Sequence, residues 1–207
     1  MNFGNLFNLD NPVWKVLGLI WDAIWLTILW AVSSALIVTI GPATSALYSV
    51  AMKLVKGQEG VITKQFFEVF ARDFKQSFVT GIVMLLAGGV LGYNFYYWYN
   101  MGNSLGNTFM ISTIIFSYIL LMIGHYIFAV IARFSNTLPN LFVMAFMMSV
   151  KNFGWTLLMI TVTASVALLA IFAFWPLLLI GIGAVALIDS LILNKIFDGY
   201  IKEHNLA

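Results

Sequence analysis

The chain has 207 residues, of which 62% are hydrophobic and only 9% charged, with a formal net charge of +2. A soluble domain averages about 45–50% apolar and about 25% charged residues, so this composition excludes a water-soluble enzyme, a disordered chain and a free nucleic-acid binder together and defines an integral membrane protein. There is no cysteine, which removes disulfides, thiolate metal sites and a cysteine nucleophile.

A helix crossing ~30 Å of hydrocarbon needs ~20 mostly apolar residues. Residues 17–40, 78–98 and 109–132 qualify, and so does the long run from Phe153 to Leu193. As one helix that run would extend about 60 Å, twice the hydrocarbon thickness. Trp175-Pro176 sits near its middle, and proline both removes a helix hydrogen bond and disfavours helical geometry before it. The run therefore divides into spans 153–174 and 177–194. The first span is not a cleavable leader, because Met1 to Trp14 carries no Lys or Arg and the apolar run is too long for one. The expected fold is all-α: one membrane domain over 1–207, with about five transmembrane helices and amphipathic interfacial helices beside them.

Three segments carry the interfacial pattern: 42–56, 63–75 and 139–151. Gly41-Pro42 breaks the first span, and proline suits the first turn of the helix that follows. In that helix Leu47, Val50, Ala51, Leu54 and Val55 recur at helical spacing, and Gly57 can end it. In the next, Phe66, Phe67, Phe70 and Phe74 form an aromatic stripe opposite Lys64, Glu68, Arg72 and Lys75, with Glu68 and Arg72 spaced for an ion pair. That polar face is either the outside of an elbow packed under the bundle or a docking surface. A weak repeat at an offset of 76 aligns Phe66, Phe70, Phe74, Lys75 and Gln76 with Phe142, Phe146, Val150, Lys151 and Asn152.

Basic residues set the orientation. Lys53, Lys56, Lys64, Arg72, Lys75, Arg133, Lys151, Lys195 and Lys202 fall on one side of this arrangement, and Lys15 on the other. The positive-inside rule makes the first side cytoplasmic, with the N-terminus outside and the C-terminus inside.

Ionisable groups within the spans are few and costly. Asp22 lies one heptad beyond Lys15 and can pair with it at headgroup level. His125, Asp189 and Arg133 sit in the inner halves or at the inner ends of their spans, so a His125–Asp189 or Arg133–Asp189 contact can tie helices together or relay a proton. Tyr93, Tyr96, Tyr97, Trp98 and Tyr99 read as an interfacial aromatic belt or as a sugar-stacking platform. Gly81, Gly88, Gly89 and Gly92 would permit close helix approach. No phosphate-binding loop, zinc-protease, nucleophile-elbow or dinucleotide motif is present. His125 and His204 stand apart from each other. The expectation is a non-enzyme with no metal and no cofactor.

Leu9-Asp10-Asn11-Pro12-Val13-Trp14, then Thr39-Ile40-Gly41-Pro42-Ala43-Thr44-Ser45-Ala46-Leu47-Tyr48, resembles the YesL-like family of small bacterial integral membrane proteins. Gly57-Gln58-Glu59-Gly60, Phe66-Phe67 with Phe70, Phe74-Lys75-Gln76 and Asn194-Lys195-Ile196-Phe197-Asp198 extend the resemblance along nearly the whole chain. The family is one of unknown function. Its members resemble accessory components encoded beside carbohydrate-uptake ABC systems. The resemblance therefore implies a bacterial plasma-membrane protein whose partners are membrane lipid and the permease or ATPase subunits of an ABC importer. Docking would use Lys64, Arg72 and Lys75, beside the structural turn at Gly41 and Pro42. A stand-alone small-solute transporter or channel using His125 or Asp189, and a membrane scaffold or sensor, remain alternatives.

Overall fold

The apolar run that begins at Leu17 does not continue as one helix to Ile40. In the computed structural model, which describes residues 12–58, 60–172 and 178–203, helix α1 covers Pro12–Ser33. A single 3-10 turn, Ile37–Thr39, follows, and α2 covers Ile40–Val55. The stop is polar. Thr39 Oγ1 lies 2.6 Å from the Ser33 carbonyl oxygen and 2.7 Å from that of Leu36, so one hydroxyl serves carbonyls that a helix end leaves open. Gly41-Pro42, expected to be the bend, sits instead inside the first turn of α2, where the missing proline N–H costs nothing.

The chain continues through α3 (Ile62–Arg72), α4 (Phe74–Met101), α5 (Ser104–Arg133), α6 (Leu138–Lys151), α7 (Phe153–Phe172) and α8 (Leu178–Glu203). The described residues contain no strand, and the fold is all-α. Five described stretches are long and apolar enough to cross a membrane: Ile37–Val55, α4, α5, α7 and Ile180–Glu203. The first of the five is centred on α2 and not on residues 17–40. The Trp175-Pro176 turn lies outside the described residues. On either side of it α7 and α8 pack antiparallel, Trp155 against Lys195 and Val166 against Gly181.

α2 departs furthest from expectation. Its pattern suggests a helix lying at the interface, but it occupies the centre, packed against α3, α4, α5 and α8. Residues on every side of it are buried, including Gly41, Ala43, Ser45, Ala46, Ser49 and Ala51. Lipid is as apolar as leucine, so hydrophobicity does not select the central helix of a membrane bundle. Small residues do, because they let backbones approach. A Cβ added at Gly41 would overlap the Ser77 carbonyl oxygen and lie 3.2 Å from Gly81 Cα, and one added at Gly183 would overlap the Ala23 backbone. Gly88, Gly89 and Gly92 make no such approach, with nothing within 4 Å of an added Cβ. Those three glycines do not mark a close helix approach among the described residues.

α1 runs against both α2 and α8. Gly18, Leu19 and Asp22 share a cavity wall with Leu54, Val55 and Leu191. Towards the other end of α1, Trp30 Nε1 donates to Thr44 Oγ1 at 3.0 Å, and Trp30 lines a cavity with Gly181 and Ile182. The start of α1 therefore lies at the end of the bundle where α2 and α8 finish. The single crossing expected of 17–40 becomes an antiparallel hairpin.

The junctions α3–α4 and α6–α7 are one elbow built twice. Asp73 N–H donates to Val69 O at 2.9 Å and Asn152 N–H to Met148 O at 3.1 Å. One turn later, Ser77 N–H returns to Asp73 O at 2.9 Å and Thr156 N–H to Asn152 O at 3.0 Å. Arg72-Asp73-Phe74 thus superposes in role on Lys151-Asn152-Phe153. The structural offset is 79 residues, from 73 to 152, and not the 76 suggested by aligning phenylalanines. The aromatic stripe runs on through the first elbow: Phe66 stacks on Phe70, Phe70 meets Phe74 edge-on, and Phe74 stacks on Phe78.

Candidate functional site

Three polar contacts, one helical turn apart, join α2 to α8 along their parallel seam. Tyr48 OH donates to Asp189 Oδ2 at 3.1 Å. Asn194 Nδ2 donates to Met52 O at 2.9 Å. That carbonyl is open because the N–H of Lys56 turns to Lys53 O and Leu54 O, so Asn194 acts as a cap supplied by another helix. Lys56 Nζ then grips both oxygens of Asp198, at 2.8 and 2.7 Å, and Arg133 Nη2 reaches the same carboxylate at 3.4 Å. Two stretches that carry the family resemblance, 39–48 and 194–198, lie on the two sides of this seam.

The first rung is chemically the most unusual. Asp189 is fully buried, and its Oδ1 has no hydrogen-bond partner among the described residues. Asn194 Oδ1, Ser45 Oγ and Ser190 Oγ are also buried without partners there. A buried carboxyl oxygen left unpaired is expensive, which singles this group out. Neither contact expected of Asp189 forms. Arg133 goes to Asp198. His125 Nδ1 donates to Leu121 O at 3.1 Å, and its Nε2 lies 3.2 Å from Thr163 Oγ1. Asp22 is half-buried on α1 and faces the cavity beside Leu54 and Gly57; the side chain of Lys15 lies outside the described residues. Tyr126 OH, 3.0 Å from Thr156 Oγ1, is the donor there, since that hydroxyl is itself engaged by Ser149 O and Asn152 O.

Charged side chains gather where α2, α5 and α8 end. Arg72 makes a two-pronged bond to Asp73 at 2.8 and 2.7 Å and reaches Ala132 O at 3.2 Å. Its bonds to Asp73, reinforced by the carboxylate charge, raise the guanidinium pKa above its ordinary value. Gln76 Nε2 donates to Asn136 O at 3.0 Å. Arg72 is therefore a clamp between the first elbow and the end of α5, and the expected Glu68–Arg72 pair is replaced by Lys64–Glu68 at 4.0 Å. Lys64, Phe67, Glu68 and Lys75 face outward. At the second elbow Lys151 pairs with Glu203 at 2.6 Å.

At the far end of α4, Tyr93, Tyr96 and Tyr99 are each more than two-thirds exposed, and Trp98 stacks on Phe109 at 4.6 Å. These rings surround the helix like a belt and do not converge on a cleft. Among the described residues no three His, Asp or Glu side chains are grouped to hold a metal. The seam and the basic end were not readable as one site from the sequence, because their partners lie 141 and 142 residues apart.

A bundle with five long apolar helices, a buried polar seam and its charges at one end is a multi-pass helical membrane protein. Residues 23–95, from α1 through most of α4, match the family described as "Protein of unknown function, DUF624", to which YesL-like proteins belong, so the family resemblance read from the sequence is borne out over that stretch. No curated protein and no solved structure matches the chain.

Proposed function

We propose that the protein is a non-enzymatic accessory subunit of a bacterial carbohydrate ABC importer and docks through its cytoplasmic face. The observation that carries this reading is the outer face of α3. It presents Lys64, Phe67 and Glu68 beside Lys75 on α4, a charged surface with an apolar residue that is exposed among the described residues. The importer context comes from the family resemblance. The orientation we propose has the start of α1 and the end of α8 both in the cytoplasm. The antiparallel α1–α2 hairpin supports it: position 15 then joins the other nine basic positions on one side, as the positive-inside rule favours.

Because Arg72 is a clamp, the docking test belongs to Lys64 and Lys75. Reversing both to glutamate should weaken co-purification of importer subunits from native membranes by roughly tenfold, as two rim charges together contribute, and should lower sugar uptake at matched protein levels. A second reading, a stand-alone transporter, is favoured by one observation: a cavity of about 250 Å³ between α1, α2, α7 and α8 reaches Tyr48, the partner of Asp189. If the double reversal leaves uptake intact while Asp189→Asn abolishes it, docking fails and the transporter reading replaces it.

A further inference from the structure

The second elbow and α8 do not close on each other as the first elbow closes on α5. Arg72 and Gln76 tie the first elbow to backbone oxygens of Ala132 and Asn136. At the second elbow, a cavity of about 440 Å³ separates α6 and the start of α7 from α8. Lys151 and Glu203 bridge its rim and neutralise each other. Lys195 stands on the opposite wall. Its Nζ lies 5.4 Å from the centre of the Trp155 ring, and among the described residues no carboxylate pairs with it. The lining is therefore cationic by one charge: Lys151 and Lys195 against Glu203. Beside that charge the walls are apolar, from Met148, Trp155 and Leu191, and both Trp155 and Leu191 are exposed along the outside of the bundle.

We propose that this cavity is a binding site for one anionic phospholipid of the phosphatidylglycerol class. Its phosphate would sit at Lys195, and its acyl chains would run down over Trp155 and Leu191. The arrangement suits such a molecule on three counts. Of the two lysines in the lining, Lys195 is the one without a carboxylate partner among the described residues, and it lies at the basic end of the bundle, where headgroups reside. A lysine above a tryptophan face is a pairing typical of the membrane interface, where an ammonium seeks the headgroup region and the indole fills the boundary below it. The apolar wall continues from the cavity onto the lipid-facing surface, so a diacyl ligand can enter sideways from the bilayer. The site does not depend on the α3 docking face, which lies on the other elbow.

The test uses the full chain in a neutral detergent or in nanodiscs of phosphatidylcholine. Phosphatidylglycerol should raise the unfolding temperature saturably and appear as one retained lipid by native mass spectrometry, whereas phosphatidylcholine should do neither. Lys195→Gln and Lys195→Glu should weaken that binding about tenfold or more, and Trp155→Ala should weaken it while leaving the charge in place. Lys202→Glu, outside the cavity lining, is the control for general charge. Equal losses from Lys202→Glu and Lys195→Glu would reduce the effect to diffuse attraction and overturn the site. Glycerol 1-phosphate, which has a headgroup without chains, should not reproduce the shift; if it does, the ligand is a free anion and the lipid assignment falls. Importer co-purification by the Lys195 variants gives a separate readout, so failure of the lipid site and failure of the docking reading are distinguishable.

Discussion

Gly41 and Arg72 hold the same region together by opposite means, one by having no side chain and the other by using all of its own. At Gly41 the cost of a larger residue comes from close approach, since a Cβ there would overlap the Ser77 carbonyl; its backbone is helical, and positive φ is confined to Gly57 and Gly102 among the described glycines. Gly41→Val should therefore destabilise the bundle by roughly 1–3 kcal/mol, the usual cost of forcing extra carbons into a packed contact, and should reduce recovery of folded protein. Gly88→Val, where the added carbon meets nothing, should leave the thermal unfolding midpoint in detergent nearly unchanged. Equal effects at the two positions would refute this account. The sequence marked Gly41-Pro42 as a special position but assigned the wrong reason. A glycine beside a proline looks like a bend, whereas the need here is for contact with a helix more than 30 residues away.

Among elements, α3 and α4 are joined by a clamp rather than a loop. Arg72 spans Asp73 and the end of α5, so Arg72→Glu would both repel Asp73 and free Ala132 O. We expect that variant to open the α3–α4 elbow, seen as faster limited proteolysis between residues 60 and 80. Lys64→Glu, on the open face of the same helix, should be no more sensitive than the parent. Similar cleavage of the two variants would show that Arg72 is only a surface charge. The later helices were legible, whereas the single span read over 17–40 was not. The one expected at 139–151 runs Leu138–Lys151, and the division of the last apolar run yields two antiparallel helices. The elbow register was not, because phenylalanines are abundant enough to align at 76, whereas the hinge is defined by Asp73 and Asn152. The candidate site was legible only in pieces. Lys64 and Lys75 could be placed on an outer face by periodicity, but nothing local in the sequence tells that Arg72 folds back, or that Asp189 meets a tyrosine on the second helix.

For the molecule as a whole, the α1–α2 hairpin is what the proposed cytoplasmic start of α1 rests on. The absence of native cysteine makes the test clean: single cysteines at Val13, Gln58 and Ser104 are labelled in intact cells with an impermeant maleimide. Position 104 should react, and positions 13 and 58 should react only after permeabilisation. Labelling at 13 from outside would restore a chain that starts on the external face. The parallel α2–α8 seam has a further consequence in time. Tyr48, the Met52 carbonyl and Lys56 find their partners only on α8, about 142 residues later. At ordinary synthesis rates that is a wait of about 7–30 s. Throughout it, the central helix sits in or near the bilayer with these three groups unclaimed. The nascent protein is thus recognisably unfinished until α8 arrives, and any chain that stops short of Asp189 displays to membrane quality control a set of groups that α8 conceals.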